Sequence, residues 1–231
     1  MTNLKTTIIL ARTLHSANIG AVARVMKNFD VDQLVLLNPR CAIDAEARKL
    51  AKHAEDLLEG TRVVHALPPF DLLVATTARQ GTDYNLPRTA LTPRSLGRKL
   101  AAARGNVGIL FGPEDAGLTN EELKAANVTV TIPSSSTYAS LNLAQSVTVI
   151  LYELFLALHN PPSSPFTLAT NEQQSKMKLL FDEVLETVQF DTPEKKETQR
   201  LLWRNITGRS MLTKREAQAL LGLLKKLIGR R

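Results

Sequence analysis

The sequence predicts an α/β fold: a mostly parallel sheet with helices on both faces, followed by a segment that is helical throughout. Three observations carry this prediction. Between residues 6 and 158, short apolar segments rich in β-branched residues alternate with segments of helical periodicity. The segment 71–76, DLLVAT, is apolar enough to be buried on both faces, as strands of parallel sheets are. After residue 169 no strand pattern recurs.

Six segments are predicted to be strands because they are short and apolar and are bounded by turn residues. Asn38-Pro39 ends the second of them, and Pro133 ends the sixth. Their predicted ranges are 6–10, 33–37, 62–65, 71–76, 106–111 and 128–132.

Helices are predicted where apolar residues recur every three or four positions after a capping residue. Asn18 is expected to cap the first helix, whose apolar face runs to Phe29. Asp44 is expected to cap the second, and Thr119 a later one in a capping box with Glu122. Those with both ends predicted span 44–59, 93–103, 141–158, 172–189, 193–206 and 213–228.

Composition divides the 231 residues into an α/β domain over 1–159, a Pro- and Ser-rich linker over 160–171 and a helical extension over 172–231. The single cysteine, Cys41, excludes an internal disulfide and a cysteine metal cluster, and the four histidines lack ligand spacing, so no metal site is predicted. No segment is apolar enough to cross a membrane and no secretory signal is recognisable, so a cytoplasmic location is expected.

The net charge of +7 is unevenly distributed along the chain. Residues 195–231 hold 11 Lys and Arg against two acidic residues, whereas residues 1–194 are close to neutral. A basic segment on a neutral body favours a polyanionic partner, most simply a nucleic acid. A solvated helical face with surplus Lys and Arg would give the same count.

Two segments carry residues that suit ligand binding. In 18–24, NIGAVAR, Gly20 permits close approach of another backbone or a ligand, and the charge of Arg24 must meet a carboxylate, a phosphate or solvent. In 111–118, FGPEDAGL, a glycine turn and an acidic residue follow a buried strand. This is neither a P-loop nor a dinucleotide fingerprint. Taken singly, each segment is equally consistent with a structural role.

The segment 131–152, TIPSSSTYASLNLAQSVTVILY, joins a strand, a turn of small polar residues and a helix. Such a turn presents free backbone N–H groups at one point. That arrangement is typical of small-molecule sites at the edge of an α/β sheet.

Together, N-x-G-x-x-x-R at 18–24, F-G-P-E-x-x-G-L at 111–118 and I-P…Y-A-S-L-N-L-A at 132–144 resemble the three motifs of the SPOUT superfamily, in the pattern of its TrmH-type RNA 2′-O-ribose methyltransferases. The resemblance spans roughly residues 5–158. The segments W-R-N-I-x-G-R-S at 203–210 and L-T-K-R-E-A-Q at 212–218 are similar to the C-terminal extension of the TrmJ branch. That branch methylates nucleotide 32 in the tRNA anticodon loop.

The resemblance implies a C-terminal trefoil knot, a homodimer and S-adenosyl-L-methionine as cofactor. Many TrmJ-like sequences have Ser where this chain has Ala139, a change that a backbone contact would tolerate. The residues implied to bind the cofactor are Thr76, Thr77, Ala78, Gly112, Glu114, Ile132, Ala139, Ser140 and Leu141.

The resemblance also implies that Arg24 is catalytic and reaches the cofactor of the other subunit. Because the pKa of a guanidinium exceeds about 12, we expect Arg24 to clamp a phosphate and stabilise the developing alkoxide rather than to act as a base. Asn18, Ser140 and Asn142 would position the ribose and Arg24. RNA affinity is expected mainly from residues 195–231 and from the basic residues Arg12, Lys27 and Arg79.

The function that follows is methyl transfer from S-adenosylmethionine to a ribose 2′-hydroxyl of tRNA. Three alternatives stay open at this point. One is an enzyme of the same type that acts on ribosomal RNA, and another is an RNA-binding protein that keeps the fold without turnover. The third is an unrelated nucleotide-binding α/β protein, which the absence of a phosphate loop disfavours.

Overall fold

The structure is a computed structural model that describes residues 4–78, 90–159 and 166–229. Within these ranges it contains a seven-stranded sheet and nine α-helices. The strands are β1 (Leu4–Ala11), β2 (Gln33–Leu37), β3 (Arg62–Val64), β4 (Leu72–Thr76), β5 (Ala103–Phe111), β6 (Val128–Val130) and β7 (Phe166–Thr167). The helices are α1 (Ser16–Asn28), α2 (Ala45–Ala51), α3 (Glu55–Glu59), α4 (Pro93–Leu100), α5 (Asn120–Ala125), α6 (Leu143–His159), α7 (Asn171–Glu186), α8 (Pro193–Ser210) and α9 (Lys214–Ile228).

All pairings between the named strands are parallel, which confirms the predicted sheet type. The strand order is β3-β2-β1-β5-β4-β6, and β7 pairs with the start of β5. In the centre, Ile8 of β1 aligns with Leu34 of β2 on one side and with Ile109 of β5 on the other. Because neighbouring strands run the same way, the carboxyl ends of β5, β4 and β6 lie side by side at one edge of the sheet.

Apolar side chains alternate between the two faces of the central strands. Ile8 and Leu10 of β1 are fully buried in a cluster with residues of α1, α4 and α6. Ile9 faces the opposite side and packs in a cluster around Phe70, while α5 covers that side beside β4. Helices therefore lie on both faces, as predicted.

Several predicted element ends differ from those in the structure. α1 begins at Ser16, and its N-cap residue His15 makes no side-chain capping hydrogen bond, so the prediction that Asn18 caps this helix is wrong. The single helix predicted over 44–59 is divided by a short 3-10 turn that begins at Lys52, a residue with a left-handed φ of 55°. The predicted cap by Asp44 and the capping box of Thr119 with Glu122 are both confirmed.

The segment predicted to be a linker contains a short strand. β7 pairs with Ala103 and Arg104, and β5 accordingly begins before its predicted start at residue 106. Residues 160–165 of the predicted linker lie outside the described residues. The six predicted strands did not include β7, because two residues are too few to show a periodicity.

α7, α8 and α9 follow β7, and α7 and α9 enclose a small core. Its buried members are Ala169, Met177, Ala217, Leu221 and Leu224. The backbone N–H of Asn171 donates a hydrogen bond of 3.1 Å to the carboxylate of Asp71, just before β4. Gly208 of α8 lies so close to the backbone carbonyl of Asn127 that no room is left for a Cβ atom. The C-terminal helices are thus packed against the sheet.

A helix that spans a membrane must be both long and predominantly apolar. None of the helices within the described ranges combines the length and the apolar character needed to span a bilayer.

Candidate active site

A cavity of about 660 Å³ lies at the carboxyl ends of β4, β5 and β6. One wall is the segment 111–121 that joins β5 to α5, and another is formed by Ser140, Leu141 and the first turns of α6. The floor is fixed by hydrogen bonds between strand ends. Thr77 donates its backbone N–H to the carbonyl of Val130, and the hydroxyl of Thr76 donates to the carbonyl of Leu110, both at 3.0 Å.

The residues that the resemblance assigned to the cofactor all lie around this one cavity. They come from three segments that are far apart in the chain but meet at the same sheet edge. The lining includes Thr76, Thr77, Ala78, Gly112, Glu114, Ile132, Ala139, Ser140 and Leu141.

Two glycines shape the wall that follows β5. Gly112 is pressed against the backbone of Gly117 and Leu118, and any Cβ there would overlap them. Gly117 has a φ of +69° and donates its N–H to the carbonyl of Pro113 at 3.0 Å, which closes the turn. The wall therefore depends on the absence of a side chain at 112 and on a left-handed backbone at 117.

Three of the predicted polar residues form one hydrogen-bonded chain beside the cavity. Glu114 accepts hydrogen bonds from the side-chain amide of Asn18 at 2.7 Å and from the backbone N–H of Leu14 at 3.1 Å. Asn142 donates its own amide to the side-chain oxygen of Asn18 at 3.1 Å. The side-chain NH₂ group of Asn18 donates to the carboxylate of Glu114, and its side-chain oxygen accepts from Asn142. These two bonds fix which way the amide of Asn18 is turned.

Asn142 also determines where α6 begins. Its side-chain oxygen accepts the backbone N–H of Ala144 at 2.9 Å, and its carbonyl accepts the N–H of Ser146 at 2.9 Å. This is the geometry of a helix N-cap. The residue thus ties the N-terminus of α6 to Asn18 on α1.

Ser134, Ala139 and Ser140 shape the turn between β6 and α6. The hydroxyl of Ser134 donates to the carbonyl of Ala139 at 3.1 Å, so the residue at 139 is held through its backbone. The hydroxyl of Ser140, an exposed residue on the cavity, has no hydrogen-bond partner within the described ranges. It is free to bind a ligand.

Arg24, a predicted catalytic residue, neither lines the cavity nor joins the hydrogen-bonded chain beside it. It is an exposed residue of α1, whose buried face is formed by Ile19, Val22 and Met26 among others. No ion pair or hydrogen bond joins Arg24 to any residue in 4–78, 90–159 or 166–229. Arg24 is not among the residues that line the cavity of its own chain.

Arg12 was expected from the sequence to bind RNA, but in the structure it forms an ion pair within the protein. Its guanidinium binds both carboxylate oxygens of Glu122, one of them at 2.9 Å, and reaches the carbonyl of Gly117 at 3.5 Å. The bond to Glu122 raises the pKa of Arg12 above its usual value. Burial raises the pKa of Glu122, but the bonds from Arg12 and Thr119 outweigh it, so this pKa lies below its usual value.

Part of the basic charge at 195–231 is likewise neutralised by ion pairs between described residues. Lys196 pairs with Glu186, and Arg200 pairs with Asp182 at 2.7 Å, which holds α8 against α7. Lys27, another predicted RNA contact, pairs with an acidic residue of α3, and Arg79 lies outside the described residues. The exposed cations of α9 have no ion-pair partner in the described part of the chain; they are Lys214, Arg215, Lys225 and Lys226.

A family model that matches more than half of the chain identifies the family. A model of the SpoU rRNA Methylase family matches residues 5–152. This chain belongs to the SpoU methylase family. The match includes all three motif segments, and the predicted resemblance is thereby confirmed.

Known SpoU relatives match nearly the whole chain. The tRNA (cytidine-2′-O-)-methyltransferase TrmJ of Methanocaldococcus jannaschii is 31% identical over 224 residues, which cover 94% of this chain and 97% of that protein. The tRNA (cytidine/uridine/adenosine-2′-O-)-methyltransferase TrmJ of Pseudomonas aeruginosa is 34% identical over 237 residues, covering 94% and 91%. The crystal structure of TrmJ from Z. mobilis superposes with a TM-score of 0.71 at 29% identity, covering 96% and 98%.

Sequence reasoning missed part of the cavity. Pro113, Leu118, Leu143 and Ser146 line it without having been predicted. Three of them lie inside the two SpoU motif segments after β5 and β6. Assigning every residue of these motif segments to the cavity would therefore have predicted them. The pairing of Arg12 had no local signal, because Glu122 is 110 positions away.

Proposed function

We propose that this SpoU methylase transfers a methyl group from S-adenosylmethionine to a ribose 2′-hydroxyl of tRNA, with nucleotide 32 of the anticodon loop as the expected target. The observation that carries the proposal is the chain Glu114–Asn18–Asn142, which joins all three motif segments beside one cavity. The near full-length similarity to tRNA 2′-O-methyltransferases supports tRNA as the substrate.

The cavity suits the cofactor in size and in chemistry. About 660 Å³ lies in the usual range of roughly 300–1,000 Å³ for small-molecule sites. Ile132, Leu118 and Leu141 offer apolar contacts for a purine ring, and Glu114 and Asp115 bring negative charge for a cationic ligand. The cofactor supplies a methyl group on a positively charged sulfur. It would be held by the nine lining residues that the resemblance assigns.

The remaining chemistry concerns the attacking hydroxyl, which is weakly acidic and must lose its proton or have its developing charge stabilised. Arg24 suits the second task, because its fork of donors can hold a phosphate and an alkoxide together. Ser140 would contact the ribose with its free hydroxyl. Asn18 and Asn142 hold the surrounding segments, and Ser140 lies two residues before Asn142.

We also propose a homodimer in which Arg24 of one protomer reaches the cavity of its partner. Arg24 has no partner within the described ranges and does not line its own cavity. The neighbouring helix α6 exposes Tyr152 and Leu156, which are 49% and 43% accessible. Phe29 at the end of α1 packs against Tyr152 and Phe155. An apolar aromatic surface on α1 and α6 suits an isologous interface.

The trefoil knot and the division into residues 1–159, 160–171 and 172–231 are part of this proposal. After β6, the chain turns back and forms α6, which packs against α1 and α4. This path supports the proposed knot, in which the chain passes through the edge of the sheet. The unpaired cations of α9 support a role of the C-terminal helices in binding tRNA phosphates. A tRNA substrate makes the cytoplasm the expected location.

The experiment that tests the proposal supplies purified protein with labelled S-adenosylmethionine and with separate tRNA and ribosomal RNA pools. We expect methylation of tRNA only, and digestion should release a 2′-O-methylated nucleoside. Methylation of ribosomal RNA alone would support the alternative that the family description suggests. Cofactor and RNA binding without transfer would favour the non-catalytic alternative.

A further inference from the structure

We propose that Arg12 and Glu122 are a positioning pair that sets the shape of the cofactor cavity by fixing the wall formed by residues 111–121. This inference rests on the proposed function, since it concerns the binding of S-adenosylmethionine. Neither residue lines the cavity.

The pair joins two structural elements that no backbone hydrogen bond connects at this point. Arg12 lies immediately after β1, and Glu122 lies in the first turn of α5. Their side chains are only 23% and 17% exposed, so water screens the pair less than it would a surface ion pair. Both carboxylate oxygens are engaged by one guanidinium, which is the directional form of this interaction.

The same contacts organise the wall itself. Glu122 also accepts the backbone N–H of Thr119 at 2.8 Å in the capping box that starts α5. Arg12 reaches the carbonyl of Gly117, the left-handed residue on which Gly112 packs. One guanidinium therefore contacts both the turn that borders the cavity and the helix that follows it.

The other end of the wall is held by a second carboxylate. Glu114 binds Leu14, which follows Arg12 in the β1–α1 connection, and Asn18 in the first turn of α1. The wall is thus attached to this connection at two places, near Glu114 and near Glu122. Without the second attachment, residues 115–121 could move relative to the sheet while Glu114 stayed in place. Cofactor binding would then have to restore the bound arrangement, at a cost in affinity.

The backbone of Arg12 supports this role. Its φ of 51° is in the left-handed region, which a residue other than glycine adopts at some energetic cost. Its N–H donates to the carbonyl of Leu37 at 2.8 Å, so the conformation is fixed by the neighbouring strand. The side chain is thereby directed towards α5 rather than left to solvent.

The test compares Arg12→Gln, Glu122→Gln and the double variant with the unaltered protein. Calorimetric titration with S-adenosylmethionine should give a dissociation constant about tenfold higher for each single variant. The double variant should be no weaker than the singles, because both remove the same interaction. At saturating cofactor, kcat and the KM for tRNA should stay within about twofold, and Arg12→Lys should bind with intermediate affinity, since it keeps the charge but loses the fork.

Arg94→Gln is the matched control, because Arg94 forms an Arg–Glu pair with Glu153 of α6 away from the wall. Its cofactor affinity should be unchanged. Unchanged cofactor affinity in Arg12→Gln would overturn the proposal, and so would a raised KM for tRNA instead, which would make Arg12 an RNA contact. If Arg12→Gln fails to fold, Arg12→Lys and Glu122→Gln decide the same question. Failure of the unaltered protein to bind the cofactor would reject the proposed function itself.

Discussion

The side-chain amide of Asn142 donates a hydrogen bond of 3.1 Å to the side-chain oxygen of Asn18, across 124 positions of sequence. Asn18 in turn donates its side-chain amide to the carboxylate of Glu114 at 2.7 Å. Each of the three residues belongs to a different motif segment, and each segment follows a different strand of the sheet. The reaction centre proposed here is therefore held together by side chains that meet only in the folded chain.

Replacing Asn18 with Asp should disrupt this chain. The new carboxylate would face that of Glu114, and one of the two would have to take up a proton. We expect a loss of about 1–3 kcal/mol in the free energy of unfolding, measured with urea, and a loss of tRNA methylation. Asn28→Asp makes the same charge change at the exposed end of α1. Its free energy of unfolding should stay within about 0.5 kcal/mol of that of the unaltered protein. Equal stability of the two variants would argue against the hydrogen-bonded chain.

Replacing Gly112 with Ala should weaken cofactor binding. The added Cβ would overlap the backbone of Gly117 and Leu118, so the wall would have to shift. We expect the dissociation constant for S-adenosylmethionine to rise at least tenfold and the stability to fall by about 1–3 kcal/mol. Gly222→Ala in α9 meets no atom within 4 Å and should leave binding unchanged while stabilising the helix by up to about 1 kcal/mol. Tight binding by Gly112→Ala would contradict the assignment of this wall.

Arg24 should act on the cavity of the partner protomer. Arg24→Ala should lose about 100- to 1,000-fold in kcat, as expected when a stabilising charge is removed, with unchanged cofactor affinity. Gly112→Val should be inactive because its cavity is blocked. Co-expression of the two with different tags should yield heterodimers that regain activity, since one of their two sites has both an open cavity and an Arg24. Heterodimers without activity would place Arg24 in its own chain's site.

The pair of Arg12 and Glu122 should make stability depend on pH. The pKa of Glu122 is lower in the folded protein than in the unfolded chain, so its stabilising contribution is fully present above the unfolded value of about 4.3. The contribution is lost as the pH falls through the lower folded value. The stability difference between the unaltered protein and Glu122→Gln, measured by urea unfolding, should therefore shrink below about pH 4. A difference that is constant from pH 3 to 7 would contradict the ion pair.

What the sequence revealed depended on whether the signal was local. The capping box of Thr119 and Glu122 was predictable because both residues lie within one helical turn. The cavity residues at 112–114 and 132–141 were predictable because they follow strand ends and belong to recognisable motifs, whereas Thr76, Thr77 and Ala78 were implied only by the resemblance. The cap of α1 was not predictable, because Asn18 has the chemistry of a capping residue, but its side-chain oxygen accepts a hydrogen bond from Asn142 instead of from the backbone of α1. β7 and the pairing of Arg12 arise from contacts between distant segments, which no local pattern records.

The central claim is that the methyl group goes to the ribose 2′-oxygen of nucleotide 32 in tRNA. The most direct measurement compares two synthetic tRNAs that differ only in a 2′-deoxy substitution at that nucleotide. We predict that the unmodified tRNA accepts one methyl group per molecule at nucleotide 32 and that the deoxy tRNA accepts none. Equal methylation of both would contradict the account.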